Sequence, residues 1–493
     1  MRKSFSFLRS KPLHYLLLPV FFVWHGFTDN FNAVPLKDAF FLLPVYLLVS
    51  FLFFLIGKLF FKQPYKAAVF SFCIMAFHFF FGAAQDFLKT QFDNAFISRY
   101  SVLLPFSLAG FVALIVYLKK TARTFNGFNF YLNSLLFLLL IIDAGGLLVK
   151  IFKTPSPKSF QSFNLNKCAG CTKPDIYFLI FDEYTSSTAL KEQWNYDNSD
   201  LDSFLVKHNF LLLPHSRSNY NFTQFSIAST LSMDYLDIPD PNACVVKDYN
   251  TCYQLIKTNN VCSILKSLGY KIVNYSIFDL PENPSLVTED FLPLKTKLIT
   301  SQTFLSRLRK DLYYHLLIGK WKIDWLTKDL IYVTYNNNRK IIDKTVLETS
   351  NYQQQPKFVY SHIEMPHPPY YFDKYGRLKD KQKLMEEGNL PEIHKYLDYL
   401  PKTNEVIKQL TDSIILHAKK PTVIVLMGDH GFRSQQPQKY FFRNLNAVYL
   451  SSNNHAGFYD SISNVNQFRV LFNNLFNASL PLKKDSTVFL TDK

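Results

Sequence analysis

The first third of the chain consists of long apolar stretches separated by short polar junctions, and no other feature limits its possible folds as strongly. A stretch of this kind crosses a bilayer as a helix, because only internal hydrogen bonds satisfy its backbone there. The five segments run approximately over Leu13–Phe27, Ala39–Gly57, Ala67–Ala84, Val102–Leu118 and Phe128–Val149. Residues 1–152 are therefore predicted to form a transmembrane domain of about five helices.

The first segment is short for a hydrocarbon core of roughly 30 Å, and basic residues precede it, so a signal peptide is its main alternative. An uncleaved span is preferred because no small-residue cleavage site follows Gly26. The fifth segment contains one acid, Asp143, which is expected to face other helices rather than lipid.

Basic residues concentrate at the N-terminus and in the second and fourth junctions, whereas the first and third junctions also carry acids. The positive-inside rule then places the N-terminus and the even junctions in the cytoplasm. Five crossings would export everything after Ile151.

Part of the net charge of +16 comes from the basic residues that set this topology, and the rest lies on the exported region. A basic surface near a bilayer favours anionic lipid head groups. Nucleic acid is not an expected partner, because no recognised binding motif is present. The mean hydropathy of −0.01 excludes a protein that lies in the membrane throughout.

Five cysteines fall in the predicted exported region, where disulfides can persist. Structural disulfides are the favoured interpretation, although the spacing does not determine the pairing and one thiol is left over. Cys168 and Cys171 could instead form a zinc or redox pair. The other three are Cys244, Cys252 and Cys262.

Residues 153–173 are predicted to form a linker, and residues 174–493 a soluble domain in which strands and helices alternate. This alternation is typical of a doubly wound α/β fold. The basic, aromatic stretch near 290–348 is interpreted as an insertion. Expected strands include Phe210–Leu213, Tyr270–Ser276, Lys357–His362 and Asn446–Leu450, and expected helices Leu201–His208, Thr223–Met233, Val261–Leu268 and Thr403–Lys419.

Two further apolar runs end abruptly in acid. One begins at Asp175 and ends at Asp182, and the other begins at Thr422 and ends at Asp429, followed by His430. Such runs are typical of buried parallel strands, whose carboxyl ends carry the ligands in open α/β sheets. Carboxylate and imidazole groups gathered there could bind a divalent cation, although an acid after a strand can also cap the next helix.

Thr223 stands at the start of a predicted helix, where its hydroxyl could be a simple N-cap. Alternatively it could act as a nucleophile, because a divalent ion would lower its pKa and free helix N–H groups would cradle a phosphate. Thr223 also completes a glycosylation sequon with Asn221, which we interpret as incidental because a glycan would crowd the nucleophile.

His362 and His367 lie beyond a strand end in a loop stiffened by three prolines. Such a loop is expected to face a substrate, where imidazole could bind phosphate oxygens or protonate a leaving alkoxide. The alternative is a pair of solvent-exposed loop histidines. Arg433 and His455 could help to position a phosphate.

These motifs resemble those of the alkaline phosphatase superfamily, in its membrane-anchored, sulfatase-like branch with lipoteichoic acid synthases and phosphoethanolamine transferases. The resemblance covers roughly residues 174–470. It implies one divalent metal ion, zinc or manganese, held by Asp182, Thr223, Asp429 and His430. By the same resemblance Thr223 is the nucleophile, and His367, with His362, contacts the substrate phosphate.

The resemblance further implies a bacterial cytoplasmic (inner) membrane protein with an extracytoplasmic catalytic domain. The first hypothesis is a phosphoryl-group transferase that takes phosphoethanolamine or phosphoglycerol from a lipid phosphodiester and passes it to a lipid or glycan. The second is a phosphodiesterase, phosphatase or sulfatase-like hydrolase. Sulfate ester hydrolysis is disfavoured, since the residues from Thr223 onwards lack the C/S-x-P-x-R motif that generates formylglycine. The third is a non-catalytic envelope scaffold.

Overall fold

The computed structural model describes residues 8–31, 34–92, 96–153, 171–287, 296–308, 331–434 and 436–492, with only the backbone of Val246. Most of the predicted linker, Cys168 and residues 309–330 of the predicted insertion lie outside these ranges. The chain divides into two units. The first comprises Met1–Thr154 and Asp290–Lys322, and the second Pro155–Glu289 and Ile323–Lys493.

The first unit contains five long helices within the described residues. Four of them, α2 to α5, are long and apolar enough to cross a membrane. The first, α1, has 16 residues, which corresponds to about 24 Å at 1.5 Å per residue. The prediction of five spans is therefore corrected to four candidates, because α1 is too short for an untilted crossing. The helices are α1 (His14–Asp29), α2 (Leu36–Phe61), α3 (Pro64–Gln91), α4 (Tyr100–Lys120) and α5 (Asn126–Lys153).

Polar contacts also lie within the first unit. On α5, Asp143 faces α1, where Nδ1 of His25 lies 3.0 Å from its Oδ1. Residues 296–308, from the stretch interpreted as an insertion, pack against α3. There the carbonyl of Gln302 accepts a hydrogen bond of 2.8 Å from the Gly82 N–H, and Arg307 pairs with Asp86.

The second unit is built on a six-stranded sheet in the order β2-β6-β5-β1-β4-β3. Strands β5, β1, β4 and β3 are parallel, while β6 runs antiparallel to both of its neighbours. The mixed α/β class is as predicted. The strands are β1 (Asp175–Phe181), β2 (Phe210–Leu212), β3 (Lys271–Tyr275), β4 (Lys357–Ile363), β5 (Thr422–Met427) and β6 (Asn446–Leu450).

Helices cover both faces of this sheet. On one face, Ile176, Phe178 and Ile180 of β1 join a buried apolar cluster with α8, α9, α10 and α14. On the other face α11 packs against β4, where Thr345 and Ser361 share a hydrogen bond of 2.7 Å. The helices are α6 (Ser187–Trp194), α7 (Ser199–Lys207), α8 (Thr223–Ser232), α9 (Val246–Lys257), α10 (Asn260–Ser267), α11 (Val333–Ser350), α12 (Lys381–Glu387), α13 (Ile393–His417) and α14 (Asn464–Phe476).

Helix α13 begins at Ile393, ten residues before the predicted start at Thr403, and it runs through Pro401. A proline inside a helix removes one hydrogen bond and usually ends the helix. Here Tyr396, Tyr399 and other apolar residues of the first turns are buried in the domain. We attribute the longer helix to this tertiary packing.

The prediction of structural disulfides is confirmed for one described cysteine of the second unit and is wrong for three. Cys171 is disulfide-bonded, but Cys244, Cys252 and Cys262 carry free thiols among the described residues. All three thiols are buried in the apolar cluster beside the sheet. They fill core space there, as free cysteines commonly do.

Candidate metal and phosphoryl-transfer site

Strands β1 and β5 are parallel neighbours, and their acidic ends meet at one edge of the sheet. Their register pairs Asp175 with Thr422 and Ile180 with Met427, so both chains leave the sheet side by side. Ligand atoms of Asp182, Asp429 and His430 lie within 4.8 Å of one another, and all three residues are buried. The structure thus brings together side chains that are almost 250 residues apart in sequence.

Gly431 lets the chain turn tightly after this pair. A Cβ added there would lie 2.6 Å from the carbonyl oxygen of Tyr440 and 2.8 Å from that of Arg443. Both obstacles are backbone atoms, which do not move aside as a flexible side chain would. The glycine in the Asp429-His430-Gly431 motif therefore has a packing reason of its own.

The carboxylate of Asp429 is oriented by backbone donors. Its Oδ1 accepts hydrogen bonds of 2.9 Å from the N–H groups of Glu183 and His430. Its carbonyl oxygen accepts a hydrogen bond of 2.6 Å from the Ser226 hydroxyl and one of 3.2 Å from Nδ2 of Asn464. Oδ2 is thereby left pointing into the cluster.

The ring of His430 is held in one tautomer. Its Nδ1 lies 2.9 Å from the carbonyl oxygen of Gly431, and since a carbonyl can only accept, Nδ1 must carry the proton. The unprotonated Nε2 then lies 3.1 Å from Oγ1 of Thr223 and 3.3 Å from Oδ2 of Asp429. A neutral imidazole with a free Nε2 is the form that binds metals.

Thr223 is the first residue of α8. The N-cap residue is Phe222, which offers no side-chain cap, and the Thr223 hydroxyl contacts His430 instead. The simple N-cap interpretation of Thr223 therefore does not hold. The first N–H groups of a helix lack partners inside the helix and attract anions, so a phosphate could lie directly beside this hydroxyl.

Four buried polar atoms of this cluster have no hydrogen-bond partner among the described residues. They are Asp182 Oδ1, Glu183 Oε2, His362 Nε2 and Asp429 Oδ2. Leaving such an atom unpaired costs about 1–3 kcal/mol, and more when the group is charged. A divalent cation would satisfy several of them at once, and carboxylate, imidazole and hydroxyl ligands suit zinc or manganese. The residues fit a metal ion.

The electrostatics favour the metal-binding protonation state at neutral pH. Burial and the nearby Asp182 carboxylate raise the pKa of Asp429 to about 6. Burial alone would also raise the pKa of Asp182, but His367, His362 and His430 hold it below its usual value. Burial and Arg433 lower the pKa of His430 to about 4. Both carboxyls are thus ionised and the imidazole is neutral.

His362 lies within β4 and is buried, rather than in the predicted loop, whereas His367 lies beyond the end of the strand. His362 is at the end of β4, with Nε2 3.5 Å from Oδ2 of Asp182 and Nδ1 2.9 Å from the Tyr360 hydroxyl. His367 has Nδ1 2.7 Å from the carbonyl of Pro368. Burial would lower the pKa of His367, but Asp182, Glu183 and Glu364 raise it overall. These carboxylates thus favour the protonated form of His367, which is the form that binds a phosphate or donates a proton.

Arg433 lies beside the cluster. Its backbone N–H and its Nε are 3.2 and 3.5 Å from Oε1 of Glu183. Its guanidinium also donates to the carbonyl of Asn221 at 3.2 Å. His455 has a different location, with Nε2 3.2 Å from the carbonyl of Val448 in β6.

The sequence did not identify Ser226 and Asn464, which support the site through the backbone of Asp429. Ser226 and Asn464 hold the Asp429 carbonyl, and Asn464 also contacts the Ser226 hydroxyl at 3.3 Å. Both lie on helices where polar residues are common, so no local pattern identifies them. Burial would have been the signal, since both side chains are fully inaccessible to solvent.

Comparison with known proteins agrees with this architecture. The family described as Sulfatase matches residues 256–469. Most of the matched residues lie in the second unit. This match covers less than half of the chain and agrees with the family that the sequence resembles. The matched stretch includes His362, His367, Asp429 and His430 but begins after Asp182 and Thr223.

Solved structures of related fold include periplasmic domains. The C-terminal periplasmic domain of EcEptC from Escherichia coli, in a complex with Zn, is 13% identical, with 66% of this chain and 90% of that chain covered at a TM-score of 0.40. The corresponding domain of the phosphoethanolamine transferase EptC from Campylobacter jejuni is 12% identical, with coverage of 64% and 96% and a TM-score of 0.37. The putative sulfatase yidJ from Bacteroides fragilis is 14% identical, with coverage of 64% and 76% and a TM-score of 0.38. None of the curated proteins compared matches the chain.

Proposed function

We propose that this protein is a membrane-anchored, metal-dependent phosphoryl-group transferase that uses Thr223 to take a group from a lipid phosphodiester donor. One observation carries the proposal. The Thr223 hydroxyl stands at the N-terminus of α8, 3.1 Å from the unprotonated Nε2 of His430, beside two buried carboxylates with unpaired oxygens.

In this proposal Asp182, Thr223, Asp429 and His430 hold one divalent ion, zinc or manganese. Such an ion, when bound, lowers the pKa of the threonine hydroxyl and neutralises charge on the transferred phosphoryl oxygens. The chain supplies the arrangement. Backbone N–H groups fix Asp429, and the Gly431 carbonyl fixes the tautomer of His430.

The transfer has two steps. Thr223 Oγ1 releases its proton to solvent and bonds to phosphorus, while the bond from phosphorus to the diacylglycerol oxygen breaks, which leaves a phosphodiester on Thr223. The N–H groups at the start of α8 bind the phosphoryl oxygens. His367, whose pKa is raised by neighbouring carboxylates, donates a proton to the departing alkoxide. In the second step a lipid or glycan hydroxyl gives its proton to the now neutral His367 and bonds to phosphorus, while the bond from phosphorus to Thr223 Oγ1 breaks. The acceptor thereby receives the phosphoethanolamine or phosphoglycerol group, and Thr223 Oγ1 recovers a proton from solvent.

The helices α2 to α5 keep this activity at a membrane, where lipid donors are concentrated. We further propose that the second unit lies on the extracytoplasmic side of a bacterial inner membrane. His362 and Arg433 would help to bind the phosphate. The partners are a lipid donor and a lipid or glycan acceptor, and no nucleic acid.

A hydrolase is the second candidate, since the matched family is named for sulfatases. In that case water replaces the acceptor hydroxyl. The residues at and after Thr223 lack the formylglycine motif, so a phosphodiester remains the favoured substrate over a sulfate ester. Transfer to an added acceptor, in excess of simple hydrolysis, separates the two.

The test uses the full-length protein in lipid nanodiscs that contain a phospholipid labelled in its head group. Wild type is expected to release diacylglycerol and to carry labelled head group on Thr223, detected by peptide mass spectrometry. Thr223→Ala should lower turnover at least about 10³-fold, as the loss of a covalent nucleophile does. Thr230→Ala is the matched control, because that buried hydroxyl in the same helix donates only to the Ser226 carbonyl, at 2.7 Å. Wild-type labelling at another residue, or undiminished turnover in Thr223→Ala, would contradict the proposal.

A further inference from the structure

The side-chain amide of Asn221, two residues before Thr223, pairs with both backbone groups of a single residue in a distant segment. Its Oδ1 accepts a hydrogen bond of 2.8 Å from the Leu490 N–H, and its Nδ2 donates one of 3.0 Å to the Leu490 carbonyl. Both residues are buried. Asn221 is therefore a structural residue, which explains why the sequon at this position is incidental.

The same segment, residues 486–492, runs along the loop that precedes α8. The Val488 N–H donates to the Asn219 carbonyl at 2.8 Å. Nδ2 of Asn219 donates to the Ser486 carbonyl at 2.8 Å. The contacts fall on alternate residues of both segments, as in a short stretch of sheet.

The far end of segment 486–492 is anchored elsewhere in the domain. The Thr491 N–H donates to the Pro241 carbonyl at 3.0 Å. The Tyr249 hydroxyl donates to Asp492 at 2.7 Å, and the Tyr249 ring lies 5.0 Å from the ring of Phe225 in α8. The segment thus supports both the loop and the helix that position Thr223.

Asn221 also connects this support to the reactive groups. Its backbone carbonyl accepts the hydrogen bond from the Arg433 guanidinium, and Arg433 in turn contacts the Glu183 carboxylate. Glu183 follows Asp182 directly, and its N–H donates to Asp429. A shift of the Asn221 backbone would therefore displace Thr223 on one side and Arg433 on the other.

We propose that Asn221 is a positioning residue, and that segment 486–492, through its pairing with Asn221, sets the location of the Thr223 hydroxyl for the reaction. This inference rests on the proposed function. Asn221 touches no reacting atom, so its loss should act by misplacing Thr223 and Arg433. A misplacement of about 1 Å in a catalytic group can reduce rates about 10²-fold.

The experiment compares full-length variants in nanodiscs with the labelled phospholipid. One is Asn221→Asp, which keeps the shape but replaces the donor to the Leu490 carbonyl by an oxygen. The second ends at Asp485, and the third combines both changes. We expect each single change to lower kcat by about 10- to 100-fold at an unchanged metal content. The combined variant should be no worse than the truncation, since both changes break the same contact.

Asn473 supplies a matched control. Its Oδ1 accepts from the Leu480 N–H at 2.6 Å and its Nδ2 donates to the Leu480 carbonyl at 2.9 Å, which is the same pairing at a place away from Thr223. Asn473→Asp should match Asn221→Asp in thermal stability yet keep the wild-type kcat. An equal fall in kcat for both variants would show a general structural effect and overturn the proposal.

A second measurement does not depend on activity. Hydrogen–deuterium exchange of the peptide spanning 219–226 should rise in Asn221→Asp and in the truncated protein, and not in Asn473→Asp. Unchanged exchange there would overturn the inference even if turnover falls. If the wild type turns over no donor while exchange behaves as expected, the proposed function fails and the structural link stands.

Discussion

The hydroxyl of Thr223 lies 3.1 Å from Nε2 of His430, which is 207 residues further along the chain. A second contact joins the same two elements, because Ser226 of α8 donates to the carbonyl of Asp429. The start of the helix is thus bound to the end of β5 at two points. This pairing puts a hydroxyl, an imidazole and a carboxylate into one buried cluster.

The first prediction concerns the metal ion. Wild type should bind close to one zinc or manganese ion, and Asp182→Asn and Asp429→Asn should each lose it, because an ion needs the charged oxygen that each variant removes. Metal analysis and anomalous scattering on the purified full-length protein measure this. Asp175→Asn is the control, since that acid sits at the opposite end of β1 and accepts from the Lys357 N–H at 3.0 Å. Full metal content in both site variants would refute the ligand assignment.

Metal binding should weaken in mild acid. The pKa of Asp429 is raised to about 6, so its carboxylate is free above pH 6 and protonated below it. Protons and the cation compete for the same oxygen, and zinc affinity should fall by about tenfold per pH unit below pH 6. His430 has a pKa lowered to about 4, so its protonation competes with the metal ion only at a still lower pH. Competition titrations against a chromophoric chelator at pH 7, 6 and 5 test this, and a constant affinity would contradict it.

Substitution of two serines of α8 should distinguish an effect on stability from an effect on function. Ser226 donates to the Asp429 carbonyl at 2.6 Å, and Ser229 donates to the Asp234 carbonyl at 2.8 Å. Each Ser→Ala change removes one buried hydrogen bond and should lower the free energy of unfolding by about 1 kcal/mol. Only Ser226→Ala should also weaken metal binding and turnover. Thermal unfolding, metal titration and kinetics are measured together, and equal effects of both variants on turnover would remove Ser226 from the site.

His367 should matter most when the leaving group is a poor one. His367→Gln is expected to lower kcat about 10²-fold or more with a lipid donor, whose alkoxide needs a proton. With a 4-nitrophenyl phosphodiester the fall should be much smaller, since nitrophenolate leaves unprotonated. His455→Gln is the control, because that ring contacts Val448. An equal loss on both substrates would assign His367 to binding rather than to proton transfer.

Much of the second unit could be predicted from local pattern. The helix at Thr223 and the strands at Lys357 and Asn446 lie within a residue of their expected bounds. The start of α13 could not be predicted, because burial of Tyr396 and Tyr399 outweighs the effect of Pro401. The sequence could not predict that the thiols of Cys252 and Cys262 are free either, since disulfide formation depends on which core positions face one another.

The amino-acid sequence by itself determined the apolar helices, the buried strands and the acids at their ends, because side-chain period and length act over a few residues. Only the tertiary structure decided that β1 lies beside β5, that Thr223 faces His430, and that segment 486–492 pairs with Asn221. Those contacts join residues about 200 to 270 positions apart. Local propensity carries no information on such pairs, since they form only when the whole sheet and its covering helices pack together.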